Sequence, residues 1–185
     1  TKETINCYIF TMDASRLKPE YTCITDEQID FLNKVVKSKN KNNIVKKIDV
    51  TQLYEQEFLN CANESAYCTP YTLLRLLADK VLDIPDKLLY LDIDIMVGDD
   101  ISKLYNIDVS KYEYAAVKEK YGSWFIRPDY INAGMLLFNM KKIKEIESLI
   151  TKDIALEDLT IFYKVIKKMK ENLRGEENVQ IDEKF

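Results

Sequence analysis

The chain has 185 residues, 46% hydrophobic and 31% charged, a mixture that fits one globular domain and is too apolar for a disordered one. Its net charge of −4 argues against nucleic acid as a partner, because phosphate backbones are bound by clustered positive charge. Histidine is absent, and the four glycines, Gly98, Gly122, Gly134 and Gly175, can form neither G-x-G-x-x-G nor a P-loop, so His-based nucleophilic pairs, His-ligated metals and glycine-cradled phosphates are excluded within this chain.

Ile5 to Met12 is rich in β-branched and aromatic residues and predicts a strand. Thr25 with Gln28 reads as a capping box, and Ile29, Leu32 and Val36 behind it predict a helix from Asp26 to about Ser38 with one buried stripe. Ile44 to Val50 predicts a second strand, completing β, α, β. Thr69 followed by Pro70 is an N-cap and first-turn proline, and Leu73, Leu74, Leu77 and Val81 then share a face of a helix that Pro85 closes. Leu88 to Leu91 is a continuous apolar run, as in a strand covered on both faces, and it changes to alternation at Asp92, Ile93, Asp94, Ile95. Tyr114 to Val117 and Met135 to Asn139 predict two more strands, separated by a loop carrying Tyr121, Trp124 and Phe125, which could stack on a bound ligand or simply hold the loop. Ile143 to Ile150 and Leu159 to Met169 have helical periodicity. Strands alternating with helices, with no linker or repeat, predict a single-domain α/β layered sheet over residues 1–185.

The cysteines Cys7, Cys23, Cys61 and Cys68 are too few, and wrongly spaced, for a disulfide scaffold or a C-x-x-C site, which suggests free thiols in a cytoplasmic protein. No run of about 20 apolar residues is present, so membrane contact is expected to be peripheral at most.

Carboxylates carry the remaining chemical signal. On a continuing strand, residues two apart face the same way about 7 Å from each other, which would aim Asp92 and Asp94 together from the carboxyl end of a buried strand, where open α/β sheets bind ligands. Two carboxylates without histidine or thiolate form a hard oxygen site suited to Mg²⁺ or Mn²⁺, completed by substrate phosphate and water. A D-x-D triplet can equally cap a strand end. The abrupt appearance of paired acids on a buried strand favours the cation, which would offset their desolvation.

The runs PYTLLRLLADKVL (Pro70 to Leu82), LLYLDIDIMVGDDISKLY (Leu88 to Tyr105) and YINAGMLLFNM (Tyr130 to Met140) resemble, in order and spacing, the family 8 glycosyltransferases. That resemblance implies a retaining enzyme of the GT-A fold, a Rossmann-like sheet with helices on both faces, related to lipopolysaccharide galactosyl- and glucosyltransferases and more distantly to glycogenin. It implies a UDP-sugar donor, a glycan or lipid-linked acceptor and Mn²⁺ or Mg²⁺. Asp92 would meet the metal and the donor's ribose or sugar, and Asp94 would bind the metal directly. Arg75 matches an arginine that helps hold the donor, and Asn132, Ala133 and Gly134 match a segment lining the donor-sugar pocket. The bottom-up reason for Gly134 is that it allows close approach to the main chain. An Asp-Gln pair near the reacting sugars is matched by Glu157 and Asp158, which gives these acids an implied catalytic role; acids at a helix start are also favourable in their own right.

The family pattern further includes a first strand with an acidic nucleotide loop and a final histidine and lysine segment, neither of which is found in Thr1 to Phe185. The expectation is therefore a partial catalytic domain. An alternative is a non-catalytic domain of the same fold that binds without turnover, and a weaker one is a Mg²⁺-dependent phosphohydrolase.

Overall fold

The computed structural model describes residues 1–58, 64, 69–126 and 128–177. They form two compact units, Thr1–Ile143 and Lys144–Phe185. Cys61 and Cys68 lie outside the described residues, and Cys7 and Cys23 are free thiols.

The first unit opens with β1 (Asn6–Thr11), α1 (Asp26–Lys39) and β2 (Ile44–Asp49), with β1 and β2 parallel and in register from Asn6 against Ile44 to Thr11 against Asp49. The capping box forms: the Thr25 hydroxyl accepts from the Gln28 amide and the Gln28 side chain accepts from the Thr25 amide. Ile29, Leu32 and Val36 do share the inward face, but they are only half-buried, and α1 has no fully buried residue. Asn33 on the same face anchors the helix, donating to the Val45 carbonyl at 2.9 Å and accepting from the Val45 amide at 2.9 Å. Those bonds occupy backbone groups that a sheet edge would otherwise leave open.

A short helix missing from the sequence reading, α2 (Thr51–Phe58), starts directly after β2, where the Asp49 carboxylate accepts from the Thr51 amide and hydroxyl. Its Tyr54 is fully buried in a core made with Met12, Ala14, Val50, Leu73, Leu74 and Leu77. The leucines come from Pro70–Lys80, whose predicted apolar face is indeed inward, with Pro70, Leu73, Leu74, Leu77 and Ala78 buried. The segment is a 3₁₀ helix, unusually long for that form. Thr69 occupies the N-cap position without side-chain capping; instead its carbonyl accepts from the Thr72 amide and hydroxyl.

β3 (Lys87–Leu91), α3 (Ile101–Tyr105), β4 (Tyr114–Lys118), α4 (Lys120–Phe125) and β5 (Ile131–Asn139) follow. The three strands form an antiparallel sheet in the order β3, β5, β4, with β5 central. The second sheet thus differs from the first pair, because the β4 to β5 connection is a short helical turn that reverses the chain. All five residues of β3 are half-buried, so the expected cover on both faces is incomplete. The expected loop around Trp124 is α4, capped by the Glu119 carboxylate, which accepts from the amides of Tyr121 at 3.1 Å and Gly122 at 2.8 Å. Tyr121, Trp124 and Phe125 stay exposed on it.

The last strand continues into α5 (Met140–Ile150), and the second unit carries most of α5 and all of α6 (Leu156–Glu177). Between them Asp153 takes a φ of 60°, a left-handed position that aspartate tolerates better than most residues.

Candidate functional site

β3 ends at Leu91, and this corrects the expectation that Asp92 and Asp94 sit on a continuing strand. The Asp92 amide makes one more rung, donating to the Gly134 carbonyl at 2.8 Å. The Ile95 amide then turns back to the Asp92 carbonyl at 3.1 Å, so Ile93 and Asp94 form the crest of a turn and lose the two-residue period. Same-face geometry therefore holds for Tyr90 and Asp92, whose side chains meet, and is replaced by turn geometry for Asp94.

Asp92 is the hub. Its Oδ1 accepts from the Tyr90 hydroxyl and lies 3.6 Å from Nη2 of Arg75, while Oδ2 has no hydrogen-bond partner among the described residues. Arg75, on the 3₁₀ helix, donates from Nε to the Thr72 carbonyl at 2.9 Å and from Nη1 to the Ala133 carbonyl. Its guanidinium also lies over the Tyr90 ring, 4.8 Å from the centroid, a cation–π arrangement. Two hydrogen bonds, one ion pair and the ring contact hold the plane of the guanidinium, and N–H groups on Nη1 and Nη2 remain without a hydrogen bond among the described residues.

The Ala133 carbonyl is available to Arg75 because of a bulge. β4 pairs Ala116 with Leu136 but Val117 with Asn132, so Ala133, Gly134 and Met135 arch away from β4. Bulges of this kind commonly re-aim groups beside functional sites. The Gly134 amide is held by the Asn132 side-chain oxygen at 2.8 Å. A Cβ on Gly134 would stand 2.7 Å from Asp92 Oδ2 and 3.1 Å from Asn132 Oδ1, so the group that approaches the main chain at this glycine is the Asp92 carboxylate.

Burial, together with the hydrogen bond to Asp92, pushes the Tyr90 phenol up to about 12; Arg75 opposes this, and the negative charges of Asp92 and Asp94 add to it. Tyr90 therefore remains a hydrogen-bond donor to Asp92 throughout the neutral range. Asp94 itself is exposed and carries no hydrogen bond or ion pair among the described residues.

Arg75, Asp92, Ala133 and Gly134 are thus brought together, with Asn132 bracing Gly134 and Asp94 on the adjoining turn. Glu157 and Asp158 lie in the first turn of α6, in the second unit, exposed, where carboxylates complement the helix dipole. Tyr90 was missed. Its position two residues before Asp92 on a strand is the signal that could have found it.

An unengaged oxygen on Asp92 and, two residues on in the adjoining turn, the exposed carboxylate of Asp94 are donors of the kind a hard divalent cation takes. No group of three or more His, Cys, Asp or Glu suited to a metal occurs among the described residues, so such an ion would take at most two side chains from them.

A parallel βαβ pair and an antiparallel trio make an α/β fold, and its solved-structure neighbours are glycosyltransferases of the GT-A type. The chain aligns with an active-site mutant of LgtC at a TM-score of 0.56 and 20% identity, over 76% of this chain and 59% of that one. It also aligns with the galactosyltransferase LgtC in complex with donor and acceptor sugar analogs, at 0.50 and 21%, over 76% and 60%. Residues 12–157 match the family described as glycosyl transferase family 8, and the chain belongs to that family. Among its relatives are a Haemophilus influenzae protein that carries the name glycosyltransferase (27% identical over 141 residues, 71% of this chain and 42% of the relative) and glycosyltransferase GlyA of Streptococcus pneumoniae (32% over 118 residues, 60% and 16%). A shorter stretch, 29% of the chain, is 40% identical to glycogenin of Komagataella phaffii. The chain spans less than half the length of each of these relatives.

Proposed function

We propose that the protein to which this chain belongs is a retaining hexosyltransferase that moves glucose or galactose from a UDP-sugar to a glycan or lipid-linked acceptor of the lipopolysaccharide type. The observation that carries this reading is the convergence of three separate segments on one carboxylate: Arg75 from the 3₁₀ helix, Asp92 from the end of β3 and Ala133 with Gly134 from the β5 bulge. Family membership supports the reaction class.

In this reading Asp92 and Asp94 hold Mn²⁺ or Mg²⁺, and Asn132, Ala133 and Gly134 line the donor-sugar pocket. When bound, the cation supplies Lewis-acid stabilisation of the departing diphosphate, a role an acidic protein cannot fill with its own net charge. Arg75 helps hold the donor, and its contacts with Thr72, Ala133 and Asp92 also order the pocket wall and the carboxylate; positioning of this kind is a large part of what such a protein contributes. Glu157 and Asp158 are assigned to the reacting sugars, with residues 1–185 forming part of one catalytic domain.

No described helix is long and apolar enough to cross a membrane. We place the protein in the cytoplasm, with peripheral contact to a lipid-linked acceptor at most.

The test is Mn²⁺-dependent release of UDP from UDP-glucose or UDP-galactose by the full-length protein. Asp94→Asn is expected to lower the rate at least tenfold, since loss of even a partner behind a metal ligand costs about that much. Equal turnover by that variant would remove the metal role. A non-catalytic binding module has one observation in its favour, the helix-start position of Glu157 and Asp158, where acids stabilise α6 without any chemistry. Calorimetry showing Mn²⁺-dependent UDP binding with no sugar transfer to any acceptor would select it.

A further inference from the structure

Asp92 has two oxygens in unlike surroundings. Oδ1 is engaged by the Tyr90 hydroxyl and by Arg75, whereas Oδ2 lies over Gly134, which has no side chain to displace it, and accepts no hydrogen bond among the described residues. We propose that Tyr90 is a positioning residue: its hydroxyl, braced by Arg75 against its ring, locks the Asp92 carboxylate so that Oδ2 is presented to a divalent cation. The inference rests on the reading of Asp92 as a metal ligand.

The geometry supports a holding role over a packing role. Tyr90 is half-buried on β3 and its ring already has a partner in the Arg75 guanidinium at 4.8 Å. Only the hydroxyl reaches Asp92. The backbone makes the same point from the other side, since the Asp92 amide is fixed by the Gly134 carbonyl at 2.8 Å, leaving side-chain rotation as the freedom that remains. A carboxylate free to rotate would exchange its two oxygens and pay the entropy of ordering each time a cation bound. Holding one oxygen removes that cost, in the way that partners behind metal ligands generally orient them.

The experiment is calorimetric titration of the full-length protein and of its Tyr90→Phe variant with MnCl₂ in the presence of UDP, alongside titration with UDP alone and thermal unfolding. Phe keeps the ring and its contact with Arg75, so the unfolding midpoint should stay close to that of the unchanged protein. Mn²⁺ affinity should fall by about tenfold or more, the range seen when a group behind a metal ligand is lost. Titration with UDP alone gives the metal-free baseline from which that fall is read. Equal Mn²⁺ affinity in the two proteins overturns the proposal while leaving Asp92 as a ligand. A fall in Mn²⁺ affinity accompanied by a clear drop in the unfolding midpoint also overturns it, because a purely structural role would act on both. If the unchanged protein binds no Mn²⁺ at all, the metal reading fails and this inference fails with it.

Discussion

At the scale of single residues, Gly134 is the glycine that bears most directly on the site. Any side chain there meets Asp92 Oδ2 at 2.7 Å, closer than real Cβ contacts allow, and the atom it meets belongs to a short side chain pinned by Tyr90 and Arg75. The carboxylate cannot step aside without leaving one of those partners. Gly134→Ala is therefore expected to destabilise the fold by about 1–3 kcal/mol, as overpacking does, while abolishing Mn²⁺-dependent UDP binding. Urea unfolding and calorimetry on the same preparation would check both parts. Retained UDP and Mn²⁺ affinity would show that Asp92 does not need its present place. Gly122 is constrained by packing instead: its Cβ would fall 2.0 Å from the Tyr130 ring, at the start of the strand that leads to the bulge.

At the scale of elements, one short device recurs. Asp13, Asp49, Asp100 and Asp108 each accept a hydrogen bond from the backbone amide two residues on, at Ser15, Thr51, Ser102 and Ser110, over 2.8 to 3.0 Å. Such Asx-type turns and caps end strands and start helices at the cost of no extra residues. For Asp13, Asp100 and Asp108 the backbone amide, followed by the serine side chain, holds the carboxyl below its ordinary value of 3.8. A folded-state value below the unfolded one means that the charged form is favoured by folding. Its stabilisation is present above the ordinary value and disappears as the pH falls through the lower, folded values. The protein should accordingly lose stability in acid below about pH 4, and a triple Asp→Asn variant at 13, 100 and 108 should show a flatter acid limb in urea unfolding followed from pH 6 to pH 3. An unchanged slope would mean that these turns do not govern acid stability.

At the scale of the whole molecule, the proposed donor and metal groups lie in the first unit, and Glu157 with Asp158 lie in the second. If those acids act on the reacting sugars, Glu157→Gln with Asp158→Asn should lower sugar transfer by about tenfold or more, a modest share of what positioned acids and bases contribute, while Mn²⁺-dependent UDP binding stays intact. A change confined to the thermal midpoint, with transfer unaffected, would make them helix-start acids only. Product analysis for transfer and calorimetry for binding separate the two outcomes.

Much of the fold is legible in the sequence because its signals are local. The capping box at Thr25 and Gln28, the strands on either side of α1 and the leucine face after Pro70 depend on residues within a few positions of one another, and caps and periodicity act over that distance. The site residues could be nominated from D-x-D and from the family pattern, yet their arrangement could not. Where β3 stops depends on the Gly134 carbonyl that receives the Asp92 amide, and the placement of that carbonyl depends on a bulge between β4 and β5. Arg75 and Ala133, 58 positions apart, meet only because the packed leucine face of the 3₁₀ helix sets the guanidinium beside the arched strand. Sequence period states which way a side chain would point if a strand continued. Whether it continues is decided by hydrogen-bond partners supplied from elsewhere in the chain, and those exist only once it has folded.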